Sequence, residues 1–352
     1  MNPYLSVILP CRDEEATVGL CIKKIQGVLA REKINGEIII SDSSHDDSAG
    51  IARKLGATVV RHTKGYGNAL LEGFRHAKGT VILYGDADNT YDFNEIPKFL
   101  KAIKGCDLVV GTRLKGDIKK GAMLFLHRYL GNPLLSGITN LLFGSRLSDV
   151  HSGMRAIKAE ALARLKLNTT GMEFATEMII KAVKADLRVC EVPISYYPRV
   201  GESKLDSFRD GWKHLRFMLL YSPDYLFIIP GFLLLVLAFS LLLYSTLSDG
   251  LLHLPVPFIF SLSAIGGYQI LLLGIFAKTY ASVHLGEHDP WIDLLNKHIS
   301  VEKGIIIGSL ILLTGLLVSG FTLTITNLTV LIIGMQTIFS SFFLSILGIE
   351  RK

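Results

Sequence analysis

Two aspartates separated by one residue, Asp86 and Asp88, follow a short apolar run at residues 81–84. Carboxylate oxygens are the hard ligands that Mg²⁺ and Mn²⁺ prefer. Such a pair at the end of a buried strand can hold a divalent cation against a phosphate group. Aspartates are also common in ordinary turns, so the spacing by itself is a weak indication of a metal site.

Two further polar loops follow apolar runs nearer the start of the chain. Residues 10–14 read Pro-Cys-Arg-Asp-Glu, and residues 42–46 read Asp-Ser-Ser-His-Asp. If the preceding runs are parallel strands, their carboxyl ends meet at one edge of a sheet. We therefore expect both loops to lie beside Asp86 and Asp88.

The elements that must position these loops alternate along the first part of the chain. Short apolar runs predict strands at 5–9, 37–40, 58–60, 81–84 and 108–110. Amphipathic stretches predict helices between them, at 17–31, 48–55, 68–76 and 95–103. This alternation predicts an α/β fold with a mainly parallel sheet and helices on both faces.

Together these loops resemble the family 2 glycosyltransferases, which have the Rossmann-like GT-A fold. In that family the first loop usually reads Pro-x-x-Asn-Glu and the second Asp-Asp-Gly-Ser-x-Asp. The resemblance implies that Pro10 and Glu14 flank the nucleoside of a nucleotide-sugar donor and that Asp42 reads its base. Asp13 and Ser41 depart from the family pattern, which leaves the identity of the base open.

A glycine-rich stretch, Lys64-Gly65-Tyr66-Gly67-Asn68, corresponds to one that precedes a helix in the same family. Backbone N–H groups at the start of a helix can approach a phosphate group. The resemblance therefore implies that Lys64 and its neighbours lie near the donor. As a single turn, the stretch is weak evidence.

A more specific resemblance, to the dolichyl-phosphate mannose synthases and related polyisoprenyl-phosphate hexose synthases, covers residues 5–217. It is carried by successive motifs: Gly111-Thr112-Arg113; His127-Arg128 with Asn132; Asp149-Val150-His151-Ser152-Gly153-Met154-Arg155; Glu191-Val192-Pro193-Ile194; and Arg199, Gly201, Ser203, Lys204 and Leu205. The resemblance implies inverting transfer of one hexose from GDP-mannose or UDP-glucose to dolichyl or polyprenyl phosphate.

The basic residues of these motifs suit that reaction. A lipid phosphate is already anionic, with a second pKa of about 6, so it can attack without a strong general base. Arg113, Arg128 and Arg199 are expected to hold the acceptor phosphate or the donor diphosphate, because a guanidinium binds such oxygens with two hydrogen bonds. The alternative for each arginine is a structural salt bridge.

The remaining residues of these motifs are expected to act at the acceptor or at the donor. Asp149 is expected either to orient the acceptor or a sugar hydroxyl or to cap the adjoining turn. By the same resemblance, Arg155, Ser203 and Lys204 are expected to bind the donor.

The resemblance also implies a Mg²⁺ or Mn²⁺ ion held by Asp88 with help from Asp86. It would neutralise charge on the leaving nucleoside diphosphate. In the mannose synthases a glutamine usually stands two residues after the second aspartate. Here that position is Thr90, so Thr90, Asn89, Asp92 or a water molecule could complete the metal shell.

The chain after residue 220 is largely apolar. Four stretches of about 20 residues, the length that crosses a bilayer, lie at 225–246, 256–278, 304–326 and 328–347. The sequence therefore predicts a catalytic domain at 1–222 and a domain of four transmembrane helices at 223–352. Basic residues cluster on one side of this arrangement, which places the catalytic domain in the cytosol by the positive-inside rule.

The composition agrees with a membrane protein. Hydrophobic residues make up 49% of the chain and charged residues 19%. The net charge of +6 is too diffuse to indicate nucleic acid, and anionic lipid headgroups explain it better. The four cysteines lack a CxxC spacing, so reduced thiols are expected. The oligomeric state is open, although Gly266, Gly267, Gly308 and Gly315 would permit close helix contacts.

The sequence leaves two alternative functions open. A processive polysaccharide synthase shares the sugar-nucleotide fold but usually carries Gln-x-x-Arg-Trp, which Asp210-Gly211-Trp212-Lys213 does not match. A non-catalytic partner of a flippase would keep the domain only to bind a glycolipid. The intact carboxylate pair favours catalysis.

Overall fold

The structure, a computed structural model, describes residues 2–201, 207–247, 255–285, 289–298, 300–317 and 324–348. The chain forms two compact units, Met1–Met218 and Leu219–Lys352. In the first unit the strands are β1 Leu5–Cys11, β2 Gly36–Asp42, β3 Thr58–Arg61, β4 Val81–Tyr84, β5 Leu108–Ile118, β6 Arg155–Lys158 and β7 Val189–Tyr196. Its helices are α1 Val18–Arg31, α2 Ser48–Lys54, α3 Tyr66–His76, α4 Ile96–Ala102, α5 Asn132–Phe143, α6 Ala159–Leu165, α7 Phe174–Lys184 and α8 Ser207–Leu220.

The strands form one sheet in the order β3-β2-β1-β4-β6-β5-β7. All neighbouring pairs are parallel except those of β6, which runs antiparallel to both β4 and β5. The sequence-based prediction of a mainly parallel sheet with alternating helices is confirmed. Strands β6 and β7 lie beyond the region in which strands were predicted, and both carry residues of the motifs quoted above.

The core explains why the strands read as continuous apolar runs. Alternate residues of a strand point to opposite faces of a sheet. Leu5, Val7 and Leu9 of β1 accordingly pack in the cluster that contains the buried side of α1, whereas Ile8 packs in the cluster that contains Phe174 of α7. Because helices cover both faces, β1 carries buried apolar side chains on both sides, and the one buried polar side chain, Ser6, donates a hydrogen bond to Glu37 Oε1 at 2.6 Å.

A disulfide joins Cys106, just before β5, to Cys190 in β7. This finding corrects the expectation of four reduced thiols, which rested on spacing alone. The pairing of β5 with β7 places the two cysteines side by side, with 6.1 Å between their Cα atoms. Cys11 and Cys21 are free and buried, and burial raises the pKa of each thiol to about 12.

The second unit is helical. Its helices are α9 Ile229–Leu247, α10 Pro255–Leu285, α11 Pro290–His298, α12 Val301–Leu317 and α13 Ile325–Leu347, and a π-helical turn at Asp224–Ile228 precedes α9. Among the residues that the structure describes, three segments are long and apolar enough to cross a membrane: Asp224–Ser245, Val256–Val283 and Ile325–Leu347. The predicted span at 304–326 overlaps α12, and residues 318–323 of that span lie outside the described part of the chain.

Candidate active site

The loops that follow β1 and β2 are hydrogen-bonded to each other. The Asp13 N–H donates to Ser44 Oγ at 2.8 Å, and the His45 N–H donates to Asp13 Oδ1 at 2.8 Å. Asp13 has a φ of +53°, a conformation that Asp and Asn tolerate better than most residues. This conformation explains why Asp13 can stand where the family usually has Asn.

The second loop holds the predicted base-reading residue. Asp42 is fully buried, accepts a hydrogen bond from the Ser44 N–H at 3.2 Å, and lies 2.5 Å from Arg61 Nη1. Arg61 also donates to the Ser44 carbonyl at 3.2 Å. The carboxylate of Asp42 is therefore already paired with a partly exposed arginine from β3.

The turn after β4 carries the paired carboxylates. Asp88 is buried, and its Oδ1 accepts hydrogen bonds from the Thr90 hydroxyl at 2.6 Å and the Thr90 N–H at 3.1 Å. Thr90 was predicted as a metal ligand, but its hydroxyl donates to a carboxylate oxygen in the structure. Its observed role is to orient Asp88.

Asp92 does not join the carboxylate pair. Its Oδ1 accepts from the Asn94 N–H at 3.1 Å and from Asn94 Nδ2 at 2.9 Å, so it caps the short helix at Phe93–Glu95. Asp92 was one of the residues that could have completed the metal shell. Its oxygen is instead engaged in the turn.

The Asp149–Arg155 loop reaches the other carboxylate, Asp86, through a glycine. A Cβ atom at Gly153 would lie 2.9 Å from Asp86 Oδ2 and 3.1 Å from the Tyr91 hydroxyl oxygen. The Gly153 N–H donates to that hydroxyl at 2.7 Å. A Cβ atom here would crowd both Asp86 and Tyr91, a contact that the Ser-Gly pair in the sequence did not reveal.

The carboxyl groups of Asp86 and Asp88 share this site. Burial and the nearby charge of Asp88 raise the pKa of Asp86 to about 7. A divalent cation would offset this repulsion, and Mg²⁺ typically binds one or two carboxylates plus phosphate oxygens and water. The donor set at Asp86 and Asp88 therefore fits such an ion. Within the described residues, no group of three or more His, Cys, Asp or Glu side chains is arranged to hold a metal.

Arg199 connects three of the predicted motifs. Its Nη1 lies 3.1 Å from Asp88 Oδ2, and its Nη2 forms an ion pair with Glu14 Oε1. The side chain is 23% exposed. The arginine of the closing motif, the glutamate of the first loop and the second aspartate of the pair thus lie in one site.

Arg113 and Asp149 form a buried, two-pronged ion pair. Arg113 Nε donates to Asp149 Oδ2 at 2.7 Å, and Nη2 donates to Oδ1 at 2.8 Å. The Arg113 guanidinium also lies 5.2 Å from the centre of the Tyr196 ring. The two predicted catalytic residues are therefore brought together, with Asp149 orienting the arginine.

Glu191 supports this pair and was quoted from the sequence without a role. Its Oε1 accepts hydrogen bonds from the Ser148 N–H at 2.6 Å and the Asp149 N–H at 3.2 Å. Lys115 Nζ lies 2.9 Å from its other oxygen. Glu191 fixes the start of the loop that carries Asp149.

Arg155 was predicted to bind the donor, and the structure corrects this prediction. The side chain is fully buried, and its nitrogens donate to the carbonyl oxygens of Ser152, Ala175 and Val150 at 3.0, 2.8 and 2.7 Å. Carbonyl groups of the loop and of α7 thus satisfy the guanidinium. Its role is to hold the Asp149–Arg155 loop in shape.

Arg128 lies in a different setting. It belongs to a π-helical turn, His127–Gly131, that runs into α5, and its guanidinium lies 5.4 Å from the centre of the Tyr129 ring. Neighbouring apolar side chains are exposed: Leu124, Phe125, Leu126, Tyr129 and Leu130. Within the described residues, Arg128 forms no hydrogen bond or ion pair with the Asp86–Asp88 turn.

The glycine-rich stretch packs against residues 168–170. Cβ atoms at Gly65 and Gly67 would lie 2.4 Å from the Thr170 carbonyl oxygen and 2.2 Å from that of Thr169. Glu177, fully buried, accepts from the N–H groups of Asn168 and Thr169 and so holds this facing segment. The Lys64 side chain is exposed at the start of α3.

Pro10 lies at the end of β1 and is partly buried. Ser203 and Lys204 lie outside the described residues.

The chain is similar to known glycosyltransferases. The model of the family described as glycosyl transferase family 2 matches residues 6–166. The low-salt glycan biosynthesis hexosyltransferase of Haloferax volcanii is 40% identical over 372 aligned positions, which cover 98% of this chain and 89% of that protein. The dolichyl-phosphate hexose transferase of the same organism is 34% identical over 212 positions, 59% of this chain and 89% of that protein.

Among more distant relatives, the dolichol-phosphate mannosyltransferase of Pyrococcus furiosus is 29% identical over 211 positions, 57% of this chain and 59% of that protein. Glucosyl-3-phosphoglycerate synthase from Mycobacterium tuberculosis, solved with Mn²⁺ and UDP, superposes with a TM-score of 0.52. It is 20% identical, and the match covers 62% of this chain and 80% of that structure. This likeness confirms the predicted GT-A fold.

Proposed function

The chain belongs to glycosyl transferase family 2, and we propose that it transfers a single hexose from a nucleotide sugar to the phosphate of a dolichyl or polyprenyl lipid. The names of two relatives, a dolichyl-phosphate hexose transferase and a dolichol-phosphate mannosyltransferase, support a lipid phosphate as acceptor. GDP-mannose and UDP-glucose are the proposed donors.

The observation that carries the choice of a lipid acceptor is the inverted polarity of the segment around Arg128. In α5 the polar residues Ser136 and Thr139 are buried, whereas Leu134 and Leu141 are 56% and 70% exposed. Surface helices of proteins in water show the opposite arrangement. An apolar outer face suits contact with lipid.

The charges of this segment agree with an anionic lipid. Between Asp117 and Asp149 the sequence has no acidic residue and four basic ones, Lys119, Lys120, Arg128 and Arg146. Basic residues beside exposed apolar side chains favour binding to phosphate headgroups. Arg128 is proposed to hold the acceptor phosphate, which belongs to a molecule whose remainder is hydrocarbon.

The residues of the site support the following chemistry. An oxygen of the lipid phosphate forms a bond to the anomeric carbon while the bond from that carbon to the nucleoside diphosphate breaks, which inverts the configuration. The leaving diphosphate keeps the electron pair of that bond. No proton has to be removed from the attacking phosphate, so positioning by Arg113, Arg128 and Arg199 is the main contribution of the protein.

A Mg²⁺ or Mn²⁺ ion bound by Asp86 and Asp88 would stabilise the charge of the leaving diphosphate. The solved relative from Mycobacterium tuberculosis was obtained with Mn²⁺ or with Mg²⁺ together with UDP, which supports the same choice of metals here. Glu14 and Pro10 are proposed to flank the nucleoside, and Asp42 with Arg61 the base. Lys64, Ser203 and Lys204 remain proposed donor-binding residues.

The proposed location is an integral membrane protein with a cytosolic catalytic domain at 1–222 and membrane-spanning helices at 223–352. The three long apolar segments support membrane association. The basic flanks of the apolar stretches support this orientation.

The test is an assay of the purified full-length protein with a panel of labelled nucleotide hexoses, one polyprenyl phosphate and Mg²⁺ or Mn²⁺. We expect one hexose per lipid, inverted at the anomeric carbon. Asp88→Asn should lower the rate at least about 100-fold, as loss of a group that stabilises the transition state does. Asp92→Asn, in the same turn but engaged in a helix cap, is the matched control and should retain the rate.

The outcomes separate the alternatives. Polymeric products would favour a processive synthase. Lipid binding without transfer under any donor would favour a non-catalytic partner of a flippase. Equal rates for the wild type and Asp88→Asn would contradict the proposed role of the carboxylate pair.

A further inference from the structure

Two glutamines meet near the middle of two apolar helices. Gln336 Nε2 donates to Gln269 Oε1 at 2.9 Å. Gln269 is the fourteenth of 28 residues in the segment Val256–Val283, and Gln336 is the twelfth of 23 in Ile325–Leu347. If these helices span a bilayer, as proposed above, both amides lie close to its midplane.

This hydrogen bond uses one N–H group of Gln336 and the carbonyl oxygen of Gln269, and the other polar groups of the two amides take no part in it. Each glutamine side chain has two N–H donors and one carbonyl oxygen. Gln336 Oε1 is buried and has no hydrogen-bond partner, and the Gln269 side chain is exposed. Lipid hydrocarbon can offer neither donors nor acceptors, so it is an unfavourable neighbour for these groups.

An open cavity of about 340 Å³ adjoins the two amides. Phe276, Met335, Phe339 and Phe343 line it. Met335 is 52% exposed and Phe339 68% exposed. Aromatic residues and methionine are enriched where proteins contact each other. The amides and these side chains together form a surface, which we call the glutamine groove.

Tyr268, Gly267 and Gly308 of the second unit make contacts within the chain. The Tyr268 hydroxyl is bonded to Thr337 Oγ1 at 2.6 Å across the same pair of helices. A Cβ atom at Gly267 would lie 2.7 Å from the Leu235 backbone nitrogen, and one at Gly308 2.8 Å from the Gly334 carbonyl oxygen. These glycines serve contacts inside the chain, which distinguishes them from the glutamine groove.

We propose that the glutamine groove is where a second copy of this chain binds. Two copies inserted in the same orientation are related by an axis along the membrane normal, and rotation about that axis keeps every residue at its depth. The exposed Gln269 amides of the two copies therefore meet at the same depth, where each supplies donors and acceptors that hydrocarbon cannot. The hydrocarbon chain of a polyprenyl lipid could fill the groove but could not satisfy the amides.

The test counts subunits of the full-length protein in phosphatidylcholine vesicles, by stepwise photobleaching of a C-terminal dye at low protein density. The wild type should bleach mainly in two steps. The double variant Gln269→Leu with Gln336→Leu should shift to single steps, with a dimer dissociation constant at least about tenfold higher. Tyr268→Phe removes a polar group of α10 that is bonded within the chain, and this control should remain dimeric.

A second measurement covers the case in which the double variant fails to fold. In the otherwise wild-type chain, Met335→Cys should form a disulfide between copies when the vesicles are oxidised. Leu313→Cys, equally exposed on α12, should not. A wild type that bleaches in single steps, or a Met335→Cys protein that does not cross-link, would overturn the inference.

Hexose transfer and resistance to alkaline extraction are measured on the same vesicles. A monomeric protein that transfers hexose and resists extraction would overturn only the dimer. A dimer without transfer would overturn only the proposed enzymatic function. Extraction of the wild type by alkali would contradict the membrane-spanning arrangement on which the inference rests.

Discussion

Arg199 Nη1 lies 3.1 Å from Asp88 Oδ2, and the same guanidinium pairs with Glu14. An arginine predicted to bind phosphate thus neutralises a carboxylate predicted to bind metal. A cation at Asp88 would compete with this contact, so we infer that metal binding frees Arg199 for a phosphate group. The ion pair links the first loop, the aspartate pair and the closing motif.

The first prediction concerns this competition. Arg199→Gln should tighten Mn²⁺ binding in the absence of donor by roughly threefold, the equivalent of the ~0.7 kcal/mol typical of a partly exposed ion pair. The same variant should lower the rate of hexose transfer. Free Mn²⁺, measured by electron paramagnetic resonance, reports the first effect. Arg75→Gln removes an arginine that is 74% exposed and pairs with Glu72 of the same helix, and it should change neither quantity.

The second prediction concerns Gly153. Gly153→Ala places a Cβ atom 2.9 Å from Asp86 Oδ2, so the carboxylate or the loop has to move. Displacement of a catalytic group by about 1 Å can lower the rate by about 100-fold, and we expect a loss of at least about tenfold in kcat. Gly137→Ala in α5, where no atom lies within 4 Å of the new Cβ, should leave kcat unchanged. Equal kcat for Gly153→Ala and the wild type would show that Asp86 tolerates the shift.

The third prediction concerns the buried pair of Arg113 and Asp149. Arg113→Met leaves the Asp149 carboxylate, which is 0% exposed, without its cation. We expect the free energy of unfolding of the full-length protein in detergent to fall by about 3–5 kcal/mol. Adding Asp149→Leu should recover part of this loss, because no buried charge then remains. Denaturant unfolding followed by tryptophan fluorescence measures both effects, and a further loss in the double variant would contradict the explanation.

The fourth prediction concerns pH and the buried His151. Its Nε2 lies 3.5 Å from Thr176 Oγ1, which is also 2.9 Å from His214 Nδ1 of α8. Burial first, and then the neighbouring His214, Arg113 and Arg155, lower the pKa of His151 well below its usual 6.5. Below about pH 6.5 the unfolded chain therefore binds a proton at this residue that the folded protein does not.

This difference in bound protons makes the free energy of unfolding depend on pH. The free energy of unfolding should fall as the pH drops below 6.5, by at most about 1.4 kcal/mol per pH unit for one proton. Above pH 6.5 His151 is neutral in both states and has no effect. His151→Gln should reduce the slope between pH 6.5 and 5, whereas His45→Gln, at a side chain that is 93% exposed, should not. An unchanged slope in His151→Gln would assign the pH dependence to other groups.

Local sequence patterns predicted the five strands β1 to β5 and the four helices between them, because apolar runs and amphipathic spacing reflect burial in short segments. The motifs also identified the turn at Asp86 and Asp88 and the loops that surround it. Strands β6 and β7 fell outside these predictions. The antiparallel direction of β6 depends on how the chain returns after α5, which no short pattern encodes.

The sequence did not show which groups pair with each arginine or cysteine. In the sequence Arg113, Arg128 and Arg199 were candidates for phosphate binding, and Arg155 was a candidate for donor binding. In the structure Arg155 is enclosed by carbonyl groups, Arg113 pairs with a residue 36 positions away, and Arg199 pairs with one 185 positions away. The fold likewise brings Cys106 to Cys190, 84 positions away, a pairing that the spacing of the cysteines did not indicate.

The sequence by itself therefore determined the kind of chemistry, the alternation of strands and helices, and the division into a polar and an apolar half, since these depend on residue type and short-range spacing. Only the tertiary structure decided which charges are neutralised within the protein and which face the site. Those pairings join residues far apart in the chain, and packing of the sheet and its helices selects them.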